Sequence, residues 1–119
     1  MRIVLLTLLT AVLLFGADSY KGKWTSDSSG SGGEIRFTLK PDAKAVFTLS
    51  GQEVPCTNVS TKIEGESIEL AYDFILQGYK LRSTLKGTVK EGKFSGKYNT
   101  ATVEDGAAVD AGTFDTSSQ

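Results

Sequence analysis

The chain has 119 residues, with 13 basic and 14 acidic side chains, no histidine and a single cysteine, Cys56. This near balance of charge gives no general attraction to nucleic acid or anionic membrane, and the length suits one domain. Without histidine there is no Ser-His or Cys-His pair, and a lone cysteine makes neither an internal disulfide nor a Cys/His zinc site, so no catalytic residue, metal site or cofactor is expected.

The first segment reads as an export signal. Met1-Arg2 is positive, Ile3 to Phe15 is apolar apart from Thr7 and Thr10, and Gly16-Ala17 are small. Such an apolar run falls in the range of about 7–15 residues that signal peptides use and is shorter than the ~20 of a spanning helix. Phe15 stands where a small residue is favoured, so the cleavage point is weakly marked. The expected organisation is a signal peptide over 1–17 and one domain over 18–119, periplasmic or secreted, with no stable membrane insertion after cleavage.

Beyond residue 18 the apolar residues alternate with polar ones, and Gly, Pro, Asp and Ser punctuate the pattern. The alternation predicts eight strands, at about 20–25, 33–40, 44–50, 56–64, 67–74, 79–89, 93–99 and 109–116. Residues 25–33 and the Gly51–Pro55 stretch read as loops. In the second strand Ile35, Phe37 and Leu39 share one face. Pro41-Asp42 suits a turn that sets Phe37 opposite Phe47 and Ile35 opposite Leu49.

The fifth strand turns Ile68, Leu70, Tyr72 and Phe74 inward, and Glu69, Ala71 and Asp73 outward. The sixth turns Tyr79, Leu81, Ser83, Leu85, Gly87 and Val89 inward. Glu91-Gly92 reverses the chain, and Phe94, Gly96 and Tyr98 follow on the same face. Pairing Lys90 with Lys93 sets Gly87 opposite Gly96, leaving a gap in the inner face that suits a bend. The predicted interior also takes Trp24, Val59 and Ile63. The last residues, Asp115 to Gln119, are expected to fray.

Short connections imply an antiparallel up-and-down meander. A sheet with one apolar face and no helix to cover it must curl, so the expected fold is an all-β, small eight-stranded barrel.

The opening strand contains Gly22-Lys23-Trp24, and the chain ends in Ala111-Gly112-Thr113-Phe114. These features resemble calycin-type barrels, the lipocalin and avidin group, and small secreted bacterial β-proteins that begin with a G-x-W strand. The resemblance implies a tryptophan plugging one barrel end. The last strand lacks the basic residue that lipocalins stack on that tryptophan, and the further tryptophans of avidin-type biotin sites are absent.

The interior of such a barrel is either filled by side chains or open to one small ligand. In the second case Trp24, Tyr72, Tyr79, Ser83 and Tyr98 are the expected ligand-binding residues of an apolar pocket at the mouth. The hairpin 79–99 carries Lys80, Arg82, Lys86, Lys90, Lys93 and Lys97 outward against Glu91, a local excess of five positive charges. This is either a charge ladder with Glu69, Asp73, Glu104, Asp105 or Asp110, or a site for an anionic protein or polysaccharide at Lys86, Lys93 and Lys97. Aromatic residues do not interleave there, which argues against nucleic acid.

Cys56 reads as a small buried hydrophobe, and Glu66 and Glu69 as solvated carboxylates. Asn58-Val59-Ser60 matches a glycosylation sequon. The expected function is binding without catalysis, of a small apolar ligand at the barrel mouth. The alternatives are a protein-interaction or inhibitor module and, third, a carboxylate-based enzyme.

Overall fold

The structure, a computed structural model, describes residues 19–40 and 42–119. The expected signal segment 1–17 and Pro41 of the expected turn lie outside the described residues. Among the described residues no helix is long and apolar enough to cross a membrane.

Among the described residues nine antiparallel strands form one sheet: β1 (Ser19–Ser26), β2 (Gly32–Thr38), β3 (Lys44–Leu49), β4 (Gln52–Pro55), β5 (Thr57–Glu64), β6 (Ser67–Leu76), β7 (Tyr79–Lys90), β8 (Lys93–Thr102) and β9 (Ala108–Ser118). Their spatial order is β4-β3-β2-β1-β9-β8-β7-β6-β5. Each strand therefore pairs with its neighbours in sequence, except at β4 and β5, and the first strand pairs with the last. The all-β antiparallel meander is as the alternation predicts, but the sheet is an open half-barrel whose two edges are β4 and β5.

The additional strand is β4, which the sequence pattern assigns to a loop. Ser50 and Gly51 adopt φ of 53° and 80°, so they form a two-residue turn with both central residues left-handed. Leu49 then faces Gln52 and Phe47 faces Val54. Three of the four β4 residues are polar or proline, so no alternation betrays the strand. Pro55 ends the pairing with β3, and after Cys56 the chain pairs with β6 instead.

The coiling of the sheet can be read from its register. Pro55 opens a row of directly opposed residues that runs through Val46, Arg36, Lys21, Ser117 and Lys93 to Lys90. Thr57 opens another that passes Asp73 to Arg82. Two positions almost adjacent in the chain thus begin rows eight residues apart on β7. At about 3.4 Å per residue this is a stagger of roughly 27 Å, the tilt that curls a sheet towards a barrel.

The hairpin β7–β8 has the expected register. Lys90 pairs with Lys93, Lys86 with Lys97 and Gly87 with Gly96 around the left-handed Glu91-Gly92 turn. The inner face at the two glycines is not empty, however. Phe114 on β9 lies opposite Gly96, and its ring passes 3.1 Å from where a Gly87 Cβ would stand.

The β2–β3 hairpin is shifted by two residues from the expected register. Ile35 faces Phe47, and Phe37 faces Ala45. A shift of two keeps every side chain on its own face. It also lengthens the connection to residues 39–43, which lets Leu39 join the core.

That core comprises Tyr20, Ile35, Phe37, Leu39, Phe47, Ile68, Leu70, Tyr72, Phe74, Leu81, Leu85, Phe94, Tyr98 and Phe114. Aromatic contacts bridge the interior. Phe47 of β3 meets Phe74 of β6 with ring centroids 4.8 Å apart, across the seam between β4 and β5. Trp24, Leu49 and Val59, expected inside, are only partly buried, and Ile63 is 43% exposed because β5 is an edge strand. The C-terminus is held as strand: the Ser118 N–H donates to the Gly92 carbonyl, and the Gln119 N–H to that of Ser19.

Candidate functional site

Beside the loop 27–31, the interior opens into a cavity of about 190 Å³. Its walls are mainly apolar: Trp24, Ile35, Phe47, Leu49, Phe74, Leu81, Leu85 and Phe114. The period of two along each strand aims these side chains at one another once the sheet curls. Trp24 stands at the wall, edge-on to both Phe47 and Tyr98. Its indole N–H donates to the Thr48 carbonyl at 3.1 Å, which fixes the ring.

One polar row crosses this apolar interior. Tyr72, Ser83, Thr100 and Asp110 are directly opposed on four adjacent strands, β6 to β9. All four line the cavity. The Ser83 and Thr100 hydroxyls are 2.6 Å apart and buried. The Ser26 hydroxyl of β1 donates to one oxygen of Asp110 at 2.7 Å, and the Tyr98 phenol donates to the other at 2.9 Å. Buried hydroxyls in such company are satisfied, so the row costs the interior little.

These surroundings move the phenols. Burial pushes Tyr72 well above the ordinary tyrosine range, the nearby Cys56 adds to the rise, and its hydrogen bond with Ser83 offsets part of it. Burial is also the largest cause for Tyr98, followed by the hydrogen bond to Asp110 and the negative charge of that residue. Both phenols therefore remain neutral hydrogen-bonding groups.

Of the expected ligand-binding residues, Trp24, Tyr72, Ser83 and Tyr98 line the cavity together. Tyr79 does not. It closes the turn at Gln77-Gly78, beyond the last inward layer at Leu81, and is 67% exposed. Ser26, Thr100 and Asp110 on the strands, and Ser28, Ser29 and Ser31 of the loop, are polar lining residues that the sequence pattern did not assign to the site. Alternation back from Phe114 and Gly112 reaches Asp110, and alternation on from Trp24 reaches Ser26; the same period was there to be followed.

The basic hairpin has one side of the expected ladder, with Glu69 and Asp73, and lacks the other. Lys86 lies 3.9 Å from Glu69, and Arg82 pairs with Asp73 at 2.7 Å. Glu104, Asp105 and Asp110 form no ion pair among the described residues: Asp105 holds the loop through Thr102 and the Ala107 N–H, and Asp110 points inward. Asp73, expected to be solvated, is 1% exposed. Lys86 and Lys97 face each other, whereas Lys93 belongs to the separate row of Lys90, Ser117, Lys21 and Arg36.

Cys56 is half-buried and its thiol points to the Val54 carbonyl at 3.7 Å. Burial pushes it up to about 12, which disfavours the thiolate. Among the described residues no group of three or more Cys, Asp or Glu is placed to hold a metal ion. No protein-family model, curated protein or solved structure matches the chain.

Proposed function

We propose that the protein is an exported, non-enzymatic binding protein that takes one small apolar ligand into the mouth of a calycin-like curled sheet. The observation that carries this reading is the apolar cavity crossed by a single polar row. Ligand sites have that composition: hydrophobic walls with a few polar groups that fix orientation. The size sets the class of ligand. An apolar cavity of about 150 Å³ holds benzene, so a space of this order takes a single ring. The Gly22-x-Trp24 opening and the pairing of first and last strands support the calycin-like reading, and the segment Met1–Ala17 supports export.

Trp24 is the sole tryptophan and lies in the cavity wall, so its fluorescence reports occupancy directly. Titration with ring-sized compounds should change the emission saturably. Leu81→Phe, which adds volume to the wall, should weaken that response. An unchanged emission across a panel of monocyclic compounds, with no heat of binding, contradicts the proposal.

A second reading has its own observation. Lys90, Lys93, Lys21 and Arg36 line one row across five strands on the outer face, interrupted only by Ser117. Four inter-strand steps span about 19 Å. Of the four, Arg36 alone forms an ion pair among the described residues, with Glu53. This row favours an anionic partner. Replacing Lys21, Lys90 and Lys93 by Gln should lower the salt needed to elute the protein from heparin more than replacing Lys86 and Lys97 does. Equal elution of the two variants and the parent removes this reading.

A further inference from the structure

The polar row ends at a carboxylate, and this decides what the ligand must carry. Asp110 sits where the cavity meets the serine-rich loop: Ser26 bonds to it, and Ser28, Ser29 and Ser31 line the same cavity. Its oxygens accept one hydrogen bond each, from Ser26 and from Tyr98. An ionised carboxylate has about four acceptor positions, so two stay open. Asp110 forms no ion pair with any described lysine or arginine, and Asp27 adds a second negative charge close enough to act on Tyr98. Trp24 cannot serve as a donor to a ligand, because its N–H is engaged by Thr48. The mouth thus offers hydroxyls and one carboxylate with open acceptor positions, with apolar walls behind them.

We infer that the pocket is selective for a ring-sized apolar compound bearing a hydrogen-bond donor, above all a protonated amine, whose donor end docks on Asp110 while the ring enters the cavity. This inference rests on the pocket reading above. A cation here gains a charge-assisted bond, the stronger kind. A carboxylate ligand instead meets the like charge of Asp110.

Benzylamine, benzyl alcohol and benzoate share one ring and nearly one shape, so they separate the charge effect from the cavity effect. Calorimetric titration of the purified chain at neutral pH is expected to rank them in that order, with benzylamine at least about tenfold tighter than benzoate. Asp110→Asn should bring benzylamine down to the level of benzyl alcohol and leave benzyl alcohol within about twofold. Benzoate binding as tightly as benzylamine overturns the inference while leaving the pocket reading intact. So does an amine preference that persists in Asp110→Asn. Failure of all three compounds to bind overturns the pocket reading, and this inference with it. Should Asp110→Asn not fold, the ranking on the unaltered chain decides alone.

Discussion

Arg82 lies across the outer face of the sheet and donates through Nε to Asp73 Oδ1 at 2.7 Å, covering a carboxylate that the strand alternation alone would leave in water. The second guanidinium nitrogen, Nη2, reaches the other oxygen at 3.2 Å, and Asn58 from β5 donates to that same oxygen at 2.9 Å. Three strands, β5, β6 and β7, are thereby tied at the edge of the seam. The hydrogen bond from Arg82 is the largest cause that holds the Asp73 carboxyl below its ordinary value.

That shift has a sign in the pH dependence of stability. A carboxyl whose native value is lowered stabilises the fold fully above the unfolded value, near ~3.9, and loses the contribution as pH falls through that value to the native one. The stability difference between the parent and Asp73→Asn should therefore be largest at neutral pH and shrink on acidification below about pH 4. Urea denaturation at neutral and acidic pH checks this. A constant difference across the two shows that Arg82 and Asn58 do not act through the ionised carboxylate.

The phenols of Tyr72 and Tyr98 predict the opposite limb. Both are raised, so their neutral forms belong to the native state. Their contribution is complete below the unfolded value near ~10 and is lost as pH rises beyond it. Alkaline titration followed by phenolate absorbance should show at least two of the four tyrosines ionising late, together with unfolding. Tyr72→Phe should move the unfolding midpoint to higher pH.

Cys56 should be a slow thiol. Relative to an unperturbed value of 9.0, a rise to about 12 leaves roughly a thousandfold less thiolate at neutral pH. A chromogenic disulfide reagent is expected to label it at least about tenfold more slowly in buffer than in denaturant, because the stronger nucleophilicity of a raised thiolate offsets part of the lost fraction. Fast labelling in buffer contradicts the burial of this side chain between β4 and β5.

Much of this arrangement was legible in the sequence, and the failures have distinct physical causes. The hairpin at Glu91-Gly92 was readable because a two-residue turn fixes register outright, and Gly87 accordingly meets Gly96. The register of β2 and β3 was not, because apolar matching cannot separate two pairings that keep the same face. Burial of Leu39 in the connection decided between them. β4 was invisible because four residues carry no period. Asp73 shows a deeper limit: alternation assigns a face, not an exposure, and a long neighbour such as Arg82 can bury a carboxylate on the outer side. Asp110 lay within the expected last strand but was hidden by its charge, which assigned it to the outer ladder although alternation back from Phe114 and Gly112 sets it inward.

The close approach of β9 to the two glycines is testable by a single methyl group. A Cβ on Gly87 would run into the Ser95 carbonyl and come within 3.1 Å of the Phe114 ring. Since backbone, not a flexible side chain, must give way, Gly87→Ala should cost about 1–3 kcal/mol, the usual range for overpacking. Thermal and chemical denaturation would show it, and a variant as stable as the parent means that the expected gap in the inner face is real.

The buried pair of Ser83 and Thr100 separates the roles of the polar row in folding and in binding. Removing one hydroxyl leaves the other with fewer partners inside an apolar wall, so Ser83→Ala or Thr100→Val should each destabilise by about 1–2 kcal/mol. Removing both takes away the two hydroxyls of that contact together, leaving the loss of the Tyr72–Ser83 bond common to the Ser83 variant and the double variant, so the double variant should be less destabilised than the sum of the two, by at least about 0.5 kcal/mol. Strict additivity would mean that the 2.6 Å contact is not a coupled hydrogen bond. The same double variant keeps Asp110, Ser26 and Tyr98 in place, because their bonds do not pass through Ser83 or Thr100. Its preference for benzylamine over benzoate should survive, which places ligand orientation at the carboxylate end of the row and leaves the hydroxyl pair to hold β7 against β8.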